Sequence, residues 1–149
     1  MISKEIVMEF LLRNKLSTLA TITKEVKPEA DTIYYFIEPN FDIFFLTNSG
    51  TQKYKNIQYQ DDVCMVVTDA EKKITAKIKG KAALVLDKDF PKKILEKIAQ
   101  MANTGDKFDT VYPILKRNDG ALVVMKIIPF EIRYSDYGGD GIEEGTVTF

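Results

Sequence analysis

From Ile74 to Asp87 the chain alternates with period two for longer than an ordinary strand requires. Ile74, Ala76, Ile78, Gly80, Ala82, Leu84 and Leu86 fall on one side, and Thr75, Lys77, Lys79, Lys81, Ala83 and Val85 on the other. Successive side chains of a strand point to opposite faces, so this segment reads as a half-buried antiparallel strand with one face wet or facing a groove. Gly80 in its middle predicts a bend or bulge of the kind barrel strands need.

The neighbouring segments extend that β reading. Leu16 to Thr23, Ala30 to Glu38, Phe41 to Thr47 and Val63 to Thr68 are rich in β-branched and aromatic residues and are separated by polar or Pro-containing turns. Ala121 to Tyr134 predicts a last strand, interrupted by Pro129. Ser3 is placed to cap a helix through about Arg13, with Ile6, Val7, Phe10 and Leu11 on one face. A short helix is expected from Thr51 to Tyr59. A longer one is expected from Phe90 to Ala102, with Ile94, Leu95, Ile98 and Met101 as its stripe. The tail, Ser135 to Phe149, holds four glycines and four acids and is expected to be loose or docked on a partner.

About six antiparallel strands with peripheral helices predict a mainly β fold: a small six-stranded, Greek-key-like antiparallel barrel with flanking helices. At 149 residues, with no repeat and no linker, residues 1–149 are expected to form one domain. Neither G-x-G-x-x-G nor a Walker-type loop is present, which argues against a Rossmann or P-loop fold.

The chain contains no histidine. Ser-His-Asp and Cys-His chemistry and histidine-ligated zinc or haem are thereby excluded. Any hard chemistry is expected to come from a bound cofactor. The net charge of −1 argues against general nucleic-acid binding. No apolar run reaches membrane-spanning length, and the N-terminus does not read as a signal peptide, so the expected location is cytoplasmic. Cys64 is the one cysteine and sits in the apolar run Val63-Cys64-Met65-Val66-Val67, which reads as a core thiol and not a nucleophile.

The candidate binding feature is the turn after Phe44-Phe45-Leu46. Thr47, Asn48, Ser49, Gly50 and Thr51 lead into a helix whose first turn carries Gln52, Lys53 and Lys55. A cation is disfavoured at a helix N-terminus unless an anion sits there. The hydroxyls of Thr47, Ser49 and Thr51, the exposed N–H groups and the Lys53 ammonium together suit a phosphate. A polar turn followed by a solvated amphipathic helix fits the same residues.

The order and spacing of several motifs resemble the FMN-binding split-barrel superfamily of pyridoxamine 5′-phosphate oxidase. Leu19-Ala20-Thr21-Ile22 with Lys27-Pro28 resembles its opening hairpin. Phe45-Leu46-Thr47-Asn48-Ser49-Gly50-Thr51-Gln52-Lys53 resembles its phosphate-binding turn. Asn56-Ile57, Ile78-Lys79-Gly80-Lys81-Ala82 and Ile128-Pro129-Phe130-Glu131-Ile132 resemble the elements that follow. Members are usually homodimers holding FMN between subunits, and many are oxidoreductases. The resemblance implies that Lys53 is the main phosphate cation, with Thr47, Asn48, Ser49, Thr51 and Gln52 around it. It also implies that the strand carrying Thr32, Ile33 and Tyr34 lines the flavin ring with its backbone, and that Thr75 supplies a polar contact.

The chain also departs from the oxidase pattern. Gln52, Asp31 and Phe36 stand where the oxidase carries cations, with Lys77, Lys79 and Lys81 as possible replacements. The basic–apolar signature of the oxidase's substrate-binding segment is missing, so the vitamin B6 enzyme itself is not expected. Two functions follow from the resemblance. One is an FMN oxidoreductase exchanging a hydride with a small molecule or NAD(P)H. The other is a non-catalytic module that binds a flavin or another ligand.

Overall fold

The computed structural model describes residues 1–90, 92, 93, 96, 97 and 119–149. In chain order the elements are α1 (Lys4–Arg13), β1 (Leu16–Ile22), β2 (Pro28–Ile37), β3 (Ile43–Asn48), α2 (Gln52–Tyr59), β4 (Asp62–Asp69), β5 (Ile74–Leu84), β6 (Leu122–Asp136) and β7 (Glu143–Thr148). The strands run antiparallel in the order β3-β2-β1-β4-β5-β6-β7, and a further pairing of β3 with β6 closes the first six into a barrel. The expected six-stranded barrel is therefore present, with one strand added on its outside.

That added strand corrects the expectation for the tail. The segment is not loose: β7 pairs with β6 from Glu131↔Thr148 to Asp136↔Glu143, and Val147 is buried. Phe149 packs its ring 5.0 Å from that of Phe41. Three of the four glycines lie in the turn between β6 and β7, while Thr146, Val147 and Thr148 are ordinary strand formers.

The barrel core follows from the alternation. On β5 the side chains of Ile74, Ala76, Ile78 and Ala82 are buried, and Lys77, Lys79 and Lys81 face outward. The strand ends at Leu84, short of the expected Asp87. The bulge expected at Gly80 is present: register shifts between Lys79 and Gly80, leaving Phe130 of β6 without a β5 partner. A Cβ on Gly80 would stand 2.5 Å from the carbonyl oxygen of Ile128, so only glycine allows this approach. Pro129 does not interrupt β6. It sits at the irregularity, where its missing N–H costs least.

α1 closes one end of the barrel. Ser3 caps it, with Oγ accepting from the N–H of Ile6 at 3.3 Å. Val7, Phe10 and Leu11 are fully buried, whereas Ile6 of the expected face is exposed. Two carbonyls of the last turn, which have no intrahelical donor, are served from outside. The Asn14 amide donates to Phe10 at 2.8 Å, and the Tyr35 hydroxyl donates to Leu11 at 2.6 Å.

Cys64 is a second correction. β4 is buried on one face only, with Val63, Met65 and Val67 inside and Cys64 half-buried on the outer face. The apolar run reads as uniformly buried because its outward residues, Cys64 and Val66, are also uncharged.

β3 is buried on both faces. On its outer side Phe44 and Leu46 pack with Val124, Phe90 and Val85, and the rings of Phe44 and Phe90 lie 5.1 Å apart. Part of the aromatic surface is thus covered within the chain. Of the helix expected from Phe90 to Ala102, the residues Phe90, Lys92, Lys93, Glu96 and Lys97 are helical, and Ile94, Leu95, Ile98 and Met101 lie outside the described residues.

The barrel is split on one side. β2 pairs with β1 along Pro28–Tyr34, but with β3 only through Tyr35, Phe36 and Ile37. Between Pro28 and Tyr34 the second edge of β2 has no strand partner among the described residues. α2 packs beside it against β1 and β5, with Asn56 and Ile57 buried.

Candidate functional site

The turn between β3 and α2 stands beside this split. Thr51 is the N-cap of α2: its Oγ1 accepts from the N–H of Tyr54 at 3.3 Å and donates to the carbonyl of Asn48 at 2.8 Å. The hydroxyl of Thr47 lies 3.0 Å from that of Thr51. Since the single proton of Thr51 is already directed at Asn48, Thr47 is the donor of this pair. Both threonines are buried.

Asn48 and Ser49 tie the turn to the start of β6. The Asn48 side chain accepts from the N–H of Gly50 at 2.9 Å and donates to the carbonyl of Gly120 at 3.1 Å. The Ser49 N–H donates to the carbonyl of Ala121 at 2.9 Å, and Ser49 Oγ accepts from the Ala121 N–H at 2.8 Å. The four side chains of the candidate phosphate turn, those of Thr47, Asn48, Ser49 and Thr51, are thus engaged within the turn or with β6. Gly50 is required by closeness: a Cβ there would lie 2.6 Å from Cγ and 2.7 Å from Oδ2 of Asp119.

α2 is docked by a buried polar group that sequence reasoning placed in the motif without a role. Asn56 donates to Thr21 Oγ1 at 3.0 Å and to Glu29 Oε2 at 3.2 Å, and accepts from the Gln52 amide at 2.8 Å. Gln52 therefore fastens the helix to itself, and Asn56 fastens it to the barrel. Lys53, one position on, is half-buried, and Lys55 is exposed.

The ring-lining strand is placed beside the same opening. Thr32 is exposed and Tyr34 is half-buried against the outer aromatic cluster, while the side chain of Ile33 points into the core. The backbone of β2 alternates between its edges: the Tyr35 N–H bonds toward β1, to the Lys15 carbonyl at 3.0 Å, so the backbone groups of Ile33 face β1 and those of Thr32 and Tyr34 face the split. Thr75 is elsewhere: it pairs with Ser135 near the end of β6, whereas Asn48 pairs with Leu122 at its start. Its hydroxyl bonds to the carbonyl of Val67 at 3.3 Å and meets Thr68 Oγ1 at 3.4 Å. The fold brings Thr47, Asn48, Ser49, Thr51, Gln52 and Lys53 together next to the edge of Thr32, Ile33 and Tyr34, and leaves Thr75 apart within one chain.

Of the outward lysines of β5, Lys81 bridges Asp61 and Asp62 at 3.2 Å each, and these carboxylates push its pKa up. Lys79 pairs with Glu131 at 3.6 Å. Burial pushes the Cys64 thiol up, and Lys77 and Lys79 pull against that shift. A raised thiol is a poor nucleophile at neutral pH. No group of histidine, cysteine, aspartate and glutamate among the described residues is arranged to hold a metal.

The residues that sequence reasoning did not reach are Glu29 and Asp119. Asp119 carries no local signal, because its closeness to Gly50 depends on a strand pairing between segments 72 residues apart.

Comparison with known families decides the lineage. The family model for pyridoxamine 5′-phosphate oxidase matches residues 3–136. The chain belongs to that family. No significant match is found among curated protein sequences. Among solved structures, general stress protein 26 from Bacillus anthracis superposes with a TM-score of 0.69 at 18% identity, covering 98% of each chain. A family-related FMN-binding protein from Nostoc punctiforme gives 0.65 at 13% identity, over 100% of this chain and 98% of the other. A heme-binding protein from Mycobacterium smegmatis gives 0.61 at 17% identity, over 91% of this chain but 53% of its own length. At these identities the likeness shows the shared split-barrel fold. No helix among the described residues is long and apolar enough to cross a membrane.

Proposed function

We propose that this member of the family is an FMN-binding flavoprotein and an oxidoreductase, working as a homodimer with a flavin held at the split of each barrel. The observation that carries this reading is the unpaired edge of β2. Between Pro28 and Tyr34 the backbone groups that point away from β1 have no strand partner among the described residues, and the turn that leads into α2 and Lys53 follows β3 on that side. A flavin ring is a flat group edged with nitrogens and carbonyls, and a free strand edge offers complementary N–H and C=O groups. The residues present fit the ring in that respect.

The phosphate end is served by Lys53 and by the first N–H groups of α2, which have no intrahelical acceptor. Thr47, Asn48, Ser49 and Thr51 shape the turn that presents them. Hydride transfer is the chemistry that a bound flavin supplies. The chain's own share is binding, orientation and exclusion of water. With no histidine, it has no imidazole to move protons at neutral pH.

The homodimer is supported by one face of the barrel. Thr32, Thr18 and Val66 stand in one row across β2, β1 and β4, and Ala30, Ala20 and Cys64 in the next. Six small or apolar outward residues without a charge make a flat surface suited to a second copy. An absorption spectrum of the protein purified and then reconstituted with FMN tests the reading, followed by flavin-dependent NAD(P)H consumption and light scattering. Bound flavin, turnover and a dimer mass are expected. A protein that takes up no flavin, or a monomer at micromolar concentration, would count against it.

A further inference from the structure

We infer that Asn56 is a positioning residue of this site: it fixes how α2 sits on the barrel, and so sets where the phosphate end of a flavin is held relative to its ring. The inference rests on the flavin reading above and concerns only what keeps the two ends of the site in register.

The two ends stand on unequal supports. The ring edge belongs to β2, which is laddered to β1 over seven consecutive pairs, from Leu16↔Tyr34 to Ile22↔Pro28. The phosphate end belongs to α2, a helix of eight residues packed on β1 and β5. So short a helix has little stability of its own, and its orientation is set by what it touches. Its buried residues are Asn56 and Ile57, with the Tyr54 ring partly buried against the core. Ile57 and Tyr54 supply apolar contact, which has no direction. Asn56 supplies direction.

The Asn56 side chain is buried, and both its amide protons and its oxygen are used. The protons go to Thr21 Oγ1 at 3.0 Å and to Glu29 Oε2 at 3.2 Å, and the oxygen accepts from the Gln52 amide at 2.8 Å. An ionised carboxylate only accepts, so Glu29 fixes which end of the amide faces the barrel. Thr21 and Glu29 stand directly opposite each other on β1 and β2. The amide is therefore anchored to both strands of the ring-bearing hairpin at once. Gln52 is the first residue of α2 and carries the restraint to the end of the helix where the N–H groups open. An unbroken run of hydrogen bonds thus joins β2 to the first turn of α2. An apolar side chain in place of Asn56 would have no polar group to satisfy, but would leave the helix free to turn on Ile57.

The test is a fluorescence titration of FMN and riboflavin against the full chain and its variants, with circular dichroism and urea unfolding to follow the fold. Asn56→Ala and Asn56→Asp each remove both donations to the barrel. FMN should bind on the order of tenfold more weakly to either, as when one charge-assisted contact is lost. Riboflavin should stay within about twofold, because the β1–β2 ladder that carries the ring edge is untouched. Combining Asn56→Asp with Glu29→Gln exchanges donor and acceptor: the new amide donates to the new carboxylate, and Thr21 and Gln52 can still donate to it. FMN affinity should return to within about threefold of the original. A merely structural role would lower stability and leave the FMN-to-riboflavin ratio alone. Should Asn56→Ala fail to fold, Thr21→Val removes one bond at nearly constant size, and should weaken FMN about threefold with riboflavin less affected. A ratio that these variants leave unchanged, or that the exchanged pair fails to restore, would overturn the inference while leaving the flavin site standing. Binding of neither flavin by the unaltered protein would overturn the flavin reading, and this inference with it.

Discussion

The hydroxyls of Thr47 and Thr51 lie 3.0 Å apart inside the turn from β3 to α2, and neither side chain is open to solvent. Their first duty is to hold the turn's shape. Thr51 caps α2 and its hydroxyl also binds the Asn48 carbonyl. Thr51→Ala removes the cap and leaves Thr47 without its acceptor, so a loss of about 1–2 kcal/mol is expected. Thr51→Ser keeps the oxygen and should restore most of it. Urea unfolding of the three proteins measures the difference. A destabilisation equal in the Ala and Ser variants would locate the effect in the lost methyl group and not in the cap.

How much of this was legible in the sequence depends on the range of the contact. The alternation of β5 and the bulge at Gly80 are written in consecutive residues, and both are present. The cap at Thr51 and the helix after it are equally local. Asn56 stood in a recognisable motif. Its role became visible only once Thr21 of β1 and Glu29 of β2 were brought beside it by the fold. Asp119 is the extreme case: nothing near it in the chain connects it to Gly50. β7 was hidden for a different reason, since its glycine-rich turn and acids dominate the composition of a short segment whose strand formers are few. Cys64 was misplaced because period-two burial cannot be read from a run in which both faces are uncharged.

Val26 is a site of removable strain. It closes the β1–β2 turn with φ at 62°, and its side chain is 77% exposed. A left-handed backbone costs an L-residue roughly 1–2 kcal/mol, and a β-branched one the most. Its N–H still bonds to the Thr23 carbonyl at 2.9 Å, so the turn itself is sound. Val26→Asn, a residue that accepts this conformation, should raise stability by about 1 kcal/mol, or roughly 2–4 °C in Tm. Val26→Gly should give less, because glycine also loosens the unfolded chain. Calorimetry decides, and a lower Tm for Val26→Asn would mean that the valine side chain has a packing role its exposure hides.

Tyr35 predicts the alkaline limit of the fold. Its ring is buried and its hydroxyl donates to the Leu11 carbonyl at 2.6 Å. Burial pushes its pKa well above the usual tyrosine value. The folded state therefore keeps the phenol proton to higher pH than the unfolded chain, in which it leaves near pH 10. That contribution is complete below about pH 10 and is lost as pH rises beyond, by up to about 1.4 kcal/mol per unit. Tyr35→Phe should cost about 1 kcal/mol at pH 7, where the hydrogen bond is lost, and flatten the alkaline decline. The decline should not vanish, since burial also raises the pKa of Tyr134. Unfolding free energies at pH 7, 10 and 11 check both signs, and an unchanged alkaline slope in the variant would remove Tyr35 as its source.

Lys53 should set the preference for a phosphate-bearing flavin. Lys53 stands in the first turn of α2, and the carboxyl of Asp119 packs on Gly50 just before the cap. A charge-assisted contact is worth about 1.5–3 kcal/mol when sheltered, and less when solvent reaches it. Lys53 is half-buried, so Lys53→Ala should weaken FMN by about tenfold and barely affect riboflavin. Lys53→Glu should be worse, since repulsion joins the lost attraction. Equal losses of FMN and riboflavin on replacing Lys53 would assign it to the fold or to the ring. Unchanged FMN affinity would mean that the α2 N-terminus holds no phosphate.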